Sequence, residues 1–287
     1  MNEKNLDYLQ KQLFTLGFKD KLNNVLEQAI SKELPEFTIG LNNRRKGETG
    51  GFDHLRYELN FSRSKKSDLY FLNDYEVGLR KEGDPWPRVQ LFDLEQHHRV
   101  TALEAYNLLS GRSIYKEIFR EKKEDKQNLE TERPDKTSIW MKLNMDVTEA
   151  YGYHPVQRFY PEYGYMLEES LSKYPFISLE DAEKKEGVLK DLKKGKLAEM
   201  RLDVNGELVP VFVAANPEMK TIDIYDKQMT ELRSEDIFPA NEKDENQQSQ
   251  SKNASVLQND QGLPSQLSVK PWEQDEHSEK NIVSRGR

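Results

Sequence analysis

The sequence predicts an α+β fold with antiparallel sheets, an N-terminal helical hairpin and a disordered C-terminal tail. Three observations carry this expectation. Leucines recur at helical spacing in the first thirty residues. Apolar and polar side chains then alternate strictly through several short runs. Helix and strand signals also follow one another without the regular β-α-β rhythm of a parallel sheet.

Leu6, Leu9, Leu13 and Leu16 share one helical face, and Gly17 suits the helix end. Leu22, Val25, Leu26, Ala29 and Ile30 make a second face, which Pro35 ends. The short connection between them predicts an antiparallel pair. Phe37, Ile39 and Leu41 then alternate as a strand, and a Gly-rich loop is expected from Asn42 to Asp53. Leu55, Tyr57, Leu59 and Phe61 form the next strand, followed by Leu69–Leu72 with Tyr75, Val77 and Leu79, and then by Val89–Glu95. Such runs form a meander with one wet face.

Thr101-Ala-Leu-Glu104 has the spacing of a capping box, in which hydroxyl and carboxylate satisfy each other's backbone amides. It opens a helix Ala102–Leu109 that stops before Gly111. A charged stretch from Arg120 to Lys136 reads as a loop, Ile139–Met145 and Gln157–Tyr160 as strands, and Tyr165–Tyr174 as a helix. Ser178 opens a further helix to Lys194, with Gly195 as its cap and Lys193 and Lys194 complementing the helix dipole. Asn205-Gly206 between Leu197–Val204 and Glu207–Ala214 is a hairpin signal, because the favoured turn needs positive φ. Thr221–Tyr225 adds a strand. Two modules are expected, 1–98 and 99–238, followed by the tail 239–287, whose sparse apolar residues share no period.

Composition narrows the function. The 287 residues contain 51 Asp+Glu, 43 Lys+Arg and no Cys, for a net charge of −8. Without cysteine there is no disulfide, thiol nucleophile or zinc ribbon. The chain is very polar, with a mean hydropathy of −0.91. No apolar run reaches the roughly 18–20 residues of a membrane span, and the N-terminus has no apolar signal region, so a cytoplasmic protein without a membrane partner is expected.

Three constellations are candidate sites. In the first, Gly111-Arg112-Ser113-Ile114-Tyr115-Lys116 follows a helix end, with Gly111 in the left-handed cap and Arg112, Tyr115 and Lys116 leaving it together. A guanidinium, a phenol and an ammonium in six residues suit phosphate contact and base stacking, or an acidic protein surface. In the second, Arg158, Tyr160 and Tyr163 sit in the densest aromatic stretch, whose residue types suit a stacking platform for single strands. In the third, Asp93, Glu95 and His97 alternate on one strand face, where two carboxylates and an imidazole suit Mg²⁺ or Mn²⁺ and an activated water. A solvated strand face accounts for the same spacing. Neither a P-loop nor a Gly-x-Ser-x-Gly elbow occurs, and no cofactor is expected.

The segment Leu103–Lys116 resembles a helix followed by Gly-Arg-(Ser/Ala)-Val-x-Lys in a family of Bacteroidetes proteins carried by mobile and conjugative elements, a domain of unknown function. Phe159–Pro175, Ala214–Asp226 and Met1–Leu9 resemble further segments of the same family in matching order. Ser113-Ile114-Tyr115 stands where relatives often have Ala-Val and a variable residue. The resemblance implies a genetic setting and no catalytic residues. The leading expectation is therefore a non-enzymatic accessory protein that binds another protein of the same element or nucleic acid. The alternatives are a metal-dependent enzyme on nucleic acid and a single-strand binding module.

Overall fold

The computed structural model describes residues 2–94, 99–120, 135–204 and 206–238. Glu95, His97, Asn205, most of the charged stretch 120–136 and the tail from 239 lie outside the described residues. Residues 1–239 form one compact unit.

The architecture is α+β, with helices around three antiparallel sheets. Helices α1 (Glu3–Thr15) and α2 (Asn23–Ser31), separated by a 3-10 turn at Lys19–Leu22, form the N-terminal pair. Asn2 caps α1 by accepting the Asn5 amide at 3.1 Å. Beyond the end of α1, Phe18 N–H donates to Leu13 O and Gly17 N–H to Phe14 O. This double bond pattern is the Schellman motif.

Strands β1 (Glu36–Lys46), β2 (Phe52–Arg63), β3 (Tyr70–Arg80) and β4 (Arg88–Asp93) form the expected meander, ordered β1-β2-β3-β4. Leu55, Tyr57, Leu59 and Phe61 of β2 and Tyr75, Val77 and Leu79 of β3 are buried under the helix pair and neighbouring elements. The expected Asn42–Asp53 loop is much shorter. Asn42–Lys46 pair in register with Phe52–Arg56, leaving residues 47–51 as the turn. Polar side chains hid this extension, because an exposed edge strand needs no apolar pattern.

Helix α3 (Ala102–Leu109) opens with the complete capping box. Glu104 N–H donates to Thr101 Oγ1 at 3.3 Å, and Thr101 N–H donates to the Glu104 carboxylate at 2.8 Å. After it comes a strand absent from the sequence reading, β5 (Ile114–Arg120), paired with β6 (Asp135–Leu143), to which β7 (Val156–Phe159) also pairs. Helix α4 (Leu167–Ser172) is shorter than expected. Helix α5 (Ala182–Lys193) starts three residues beyond the expected position, capped by Asp181, which accepts from the Glu183 and Lys184 amides. Strands β8 (Ala198–Val204), β9 (Glu207–Asn216) and β10 (Thr221–Tyr225) complete the third sheet, ordered β10-β9-β8. Gly206 has φ +85° in the β8–β9 turn, and its amide donates to Asp203 Oδ1 at 2.7 Å.

Two apolar clusters fill this unit. The first joins the helix pair and β1–β4 to α3 and to Ile114, Ile118, Ile139, Met141 and Leu143. The second gathers Trp140, α4, α5 and the third sheet. Strand β6 therefore serves both. Ile139, Met141 and Leu143 belong to one cluster and the intervening Trp140 to the other, as alternation across a pleated strand requires.

Candidate functional site

The segment from Gly111 to Lys116 is where sequence and structure meet most directly. Gly111 occupies the left-handed cap with φ +84°. Its N–H donates to Leu108 O and that of Arg112 to Asn107 O, again a Schellman ending. Arg112 then departs from expectation. It does not leave the helix end for solvent but turns inward, with only 8% of its surface exposed. Its Nε–H donates to Gly195 O at 2.6 Å and one terminal nitrogen to Asn107 Oδ1 at 2.7 Å, while the other pairs with the Glu48 carboxylate. Asn107 also donates to Lys194 O at 2.6 Å. The ends of α3 and α5 are thereby stitched together. Burial, and next the charge of Arg45, lower the Arg112 guanidinium to about 10. Arg112, expected to leave the helix end for a partner, instead holds the fold together, since Nε and both terminal nitrogens each engage an acceptor of this chain.

Tyr115 and Lys116 project from opposite faces of the edge strand β5, both half-buried. The Tyr115 ring packs against Trp140 with centroids 5.1 Å apart, and Lys193 Nζ lies 5.4 Å from its centre. Lys116 Nζ donates to both oxygens of Glu104, at 2.8 and 3.0 Å. The capping carboxylate of α3 thus also holds Lys116.

Around these two residues opens a groove of about 880 Å³, lined by Arg99 before α3 and by Lys190, Lys193 and Lys194 at the end of α5. Three of its carboxylates are paired, Glu104 with Lys116, Glu117 with Lys136 and Glu168 with Lys185, while the fourth, Glu186, is exposed and enters no ion pair among the described residues. Arg99, Lys190, Lys193 and Lys194 are exposed and enter no ion pair among the described residues. Four cations and one carboxylate, Glu186, without ion-pair partners among the described residues therefore line a groove beside a half-buried tyrosine, although the whole chain is acidic. Lys193 and Lys194 were legible in sequence only as dipole partners. Their convergence with Arg99 depends on the packing of α5 beside β5.

The other candidates are dispersed. Arg158 is exposed on β7, opposite Met141 in register. Tyr160 packs against the first apolar cluster. Tyr163 donates its hydroxyl to Glu218 O at 2.7 Å, with its ring against Phe159 and under Lys220. These three do not form one platform. His154 is buried, with Nδ1 2.9 Å from Val147 O. Asp93 is exposed at the end of β4 while Phe92 and Leu94 point inward. No group of three or more His, Asp or Glu side chains is placed to hold a metal among the described residues.

Two smaller depressions lie elsewhere. One, of about 570 Å³ on the outer face of the four-stranded sheet, contains Arg56 paired with Glu58. The other, of about 320 Å³, surrounds Arg112 and includes Asp53, which accepts the Tyr106 hydroxyl at 2.7 Å. That buried acid is not legible from the residues around it, because Asp53 reads as a loop residue.

Fold and groove together define an α+β protein of three small antiparallel sheets carrying a basic-aromatic surface cleft. No family model, curated protein or solved structure matches the chain.

Proposed function

We propose that this protein is a non-enzymatic binding module that takes a single-stranded nucleic acid in the groove between α3, β5 and the end of α5. One observation carries the reading: Arg99, Lys190, Lys193 and Lys194 gather around Tyr115 without ion-pair partners among the described residues. Phosphates are recognised by such unpaired cations, and an aromatic face among them stacks a base without regard to its identity. Lys116 also lines the groove, with its charge matched by Glu104. The resemblance of Leu103–Lys116 and later segments to a mobile-element family supports placing this module among the accessory proteins of such an element. The absence of cysteine fits a cytoplasmic setting. No helix among the described residues is long and apolar enough to cross a membrane.

The test is fluorescence anisotropy with a labelled oligonucleotide across a salt series. Wild-type protein is expected to bind at about 50 mM salt, with binding that weakens steeply as salt rises. Replacing Lys190, Lys193 and Lys194 together by Ala should reduce the salt slope by roughly 0.7 per lost contact, with the near-UV circular dichroism unchanged. A wild-type chain that ignores single strands at low salt would overturn the reading.

A further inference from the structure

Strand β1 closes one side of the four-stranded sheet and is paired only with β2. Two backbone bonds fix which way its groups point. Gly47 N–H donates to Gly51 O and Arg63 N–H to Pro35 O, each at 2.8 Å. Odd-numbered residues of β1 therefore face β2, since alternate residues of an antiparallel strand turn their backbone groups to opposite sides. The N–H and C=O of Glu36, Thr38, Gly40, Asn42, Arg44 and Lys46 point away from the sheet, and all these residues are exposed. Among the described residues, only Arg44 finds a local substitute, donating its N–H to Asn43 Oδ1 at 3.0 Å. Edges of the third sheet are treated differently: Asp203 N–H bonds Pro175 O beside β8, and Leu232 N–H bonds Ile224 O beside β10.

We propose that β1 is a homodimer seam, in which two copies of this chain pair their β1 strands antiparallel about a twofold axis at Leu41. The four-stranded sheets then join into one continuous sheet. The strand is complementary to itself in this register. Glu36 meets Lys46, Thr38 meets Arg44, Gly40 meets Asn42, and Leu41 meets its own counterpart. Each outward-pointing residue meets an outward-pointing residue, so the ladder closes. Neither Glu36 nor Lys46 has an ion-pair partner in its own chain among the described residues, and the twofold axis creates their pair twice. The basic run Arg44–Lys46 lies against Glu36–Thr38 of the other copy and never against itself. A shift by two residues in one direction leaves Glu36 unpaired, and in the other leaves Lys46 unpaired. A second copy is thus favoured over an arbitrary strand, which the same basic run repels unless it carries acid at the matching end.

The experiment is sedimentation equilibrium on the full chain. Wild type is expected to dimerise at concentrations up to about 100 µM, within the range of specific but modest interfaces. Asn42→Pro removes an outward N–H while sparing the bonds to β2, and should weaken the dimer about tenfold or more. Glu36→Lys should weaken it as well, by opposing like charges. Combining Glu36→Lys with Lys46→Glu should restore it, which no general loss of folding can mimic and which holds the test open if Asn42→Pro misfolds. A wild-type chain that stays monomeric throughout, a dimer indifferent to Asn42→Pro in a folded protein, or a charge reversal without rescue would each overturn the seam. None of these readouts depends on the groove.

Discussion

The Arg112 guanidinium reaches the carbonyl of Gly195, 2.6 Å away and 83 residues along the chain, and so ties the end of α3 to the end of α5. Removing the side chain leaves Gly195 O and Asn107 Oδ1 without this donor and Glu48 with Lys81 as its remaining partner. Arg112→Ala is expected to cost about 3–5 kcal/mol, the range for breaking a buried charge pair from one side. Arg112→Lys should recover little, because a single ammonium cannot reproduce the planar fork. Urea denaturation followed by circular dichroism measures both. A loss below about 0.5 kcal/mol, typical of exposed sites, would return Arg112 to the surface.

Gly195 and Gly111 separate backbone strain from crowding. Both have positive φ, +74° and +84°. A Cβ at Gly111 meets nothing within 4 Å, whereas one at Gly195 would stand 2.8 Å from Ser113 O and 2.9 Å from Ile114 Cγ2. Gly111→Ala should therefore cost about 1–2 kcal/mol from conformation alone. Gly195→Ala should cost a further 1–3 kcal/mol or so, since tightly packed neighbours must move. Equal shifts in melting temperature would contradict this ranking.

Glu104 binds both the helix cap and Lys116, which sets stability against binding. Glu104→Gln keeps a capping-box side chain but removes the charge that holds Lys116. Stability should fall by about 1 kcal/mol, the scale of a lost charge-assisted bond. Oligonucleotide affinity should rise, with the salt slope steeper by up to roughly 0.7. An affinity that falls together with stability would show that Lys116 acts only as a structural partner.

Alkaline pH should unfold the protein in a defined window. Burial raises the Tyr57 and Tyr106 hydroxyls from 10.0 to about 12, and the hydrogen bond to Asp53 adds to the shift at Tyr106. Tyr75, Tyr165 and Tyr225 are raised by burial as well. The native state keeps these protons while the unfolded chain loses them. Their contribution is complete below pH 10 and is lost as pH rises toward 12. Arg112, lowered by burial, acts in the opposite sense, but it is one group against several. Thermal melts across this range should show the decline, and Tyr106→Phe should flatten it. Melts independent of pH would contradict the burial of these hydroxyls.

Much of the fold could be read from the chain because its causes are local. Alternation at Leu55–Phe61, the Thr101–Glu104 spacing and the glycine after α3 each record a constraint met by neighbours in sequence. The failures are equally physical. Asn42–Lys46 form a strand through backbone pairing, with Arg44 and Arg45 laid over the Phe52 and Tyr106 rings, and their exposed polar side chains carry no apolar alternation to reveal it. Gly111–Lys116 reads as a charged recognition segment because Arg112 and Lys116 dominate it, and this masks the strand that begins at Ile114, whose pairing partners lie on β6. Arg112 shows why charge alone misleads: its burial is decided by Gly195, Asn107 and Glu48 together. The groove depends on the same long-range packing, which sets Arg99 and the lysines of α5 around Tyr115.

Strand β6 has a kinetic consequence. Ile139, Met141 and Leu143 enter one apolar cluster while Trp140 enters the other. Loosening either cluster alone leaves this strand clamped by the one that remains. Its amide protons should therefore exchange with solvent only through openings that undo both cores at once, and they should rank among the slowest in the molecule.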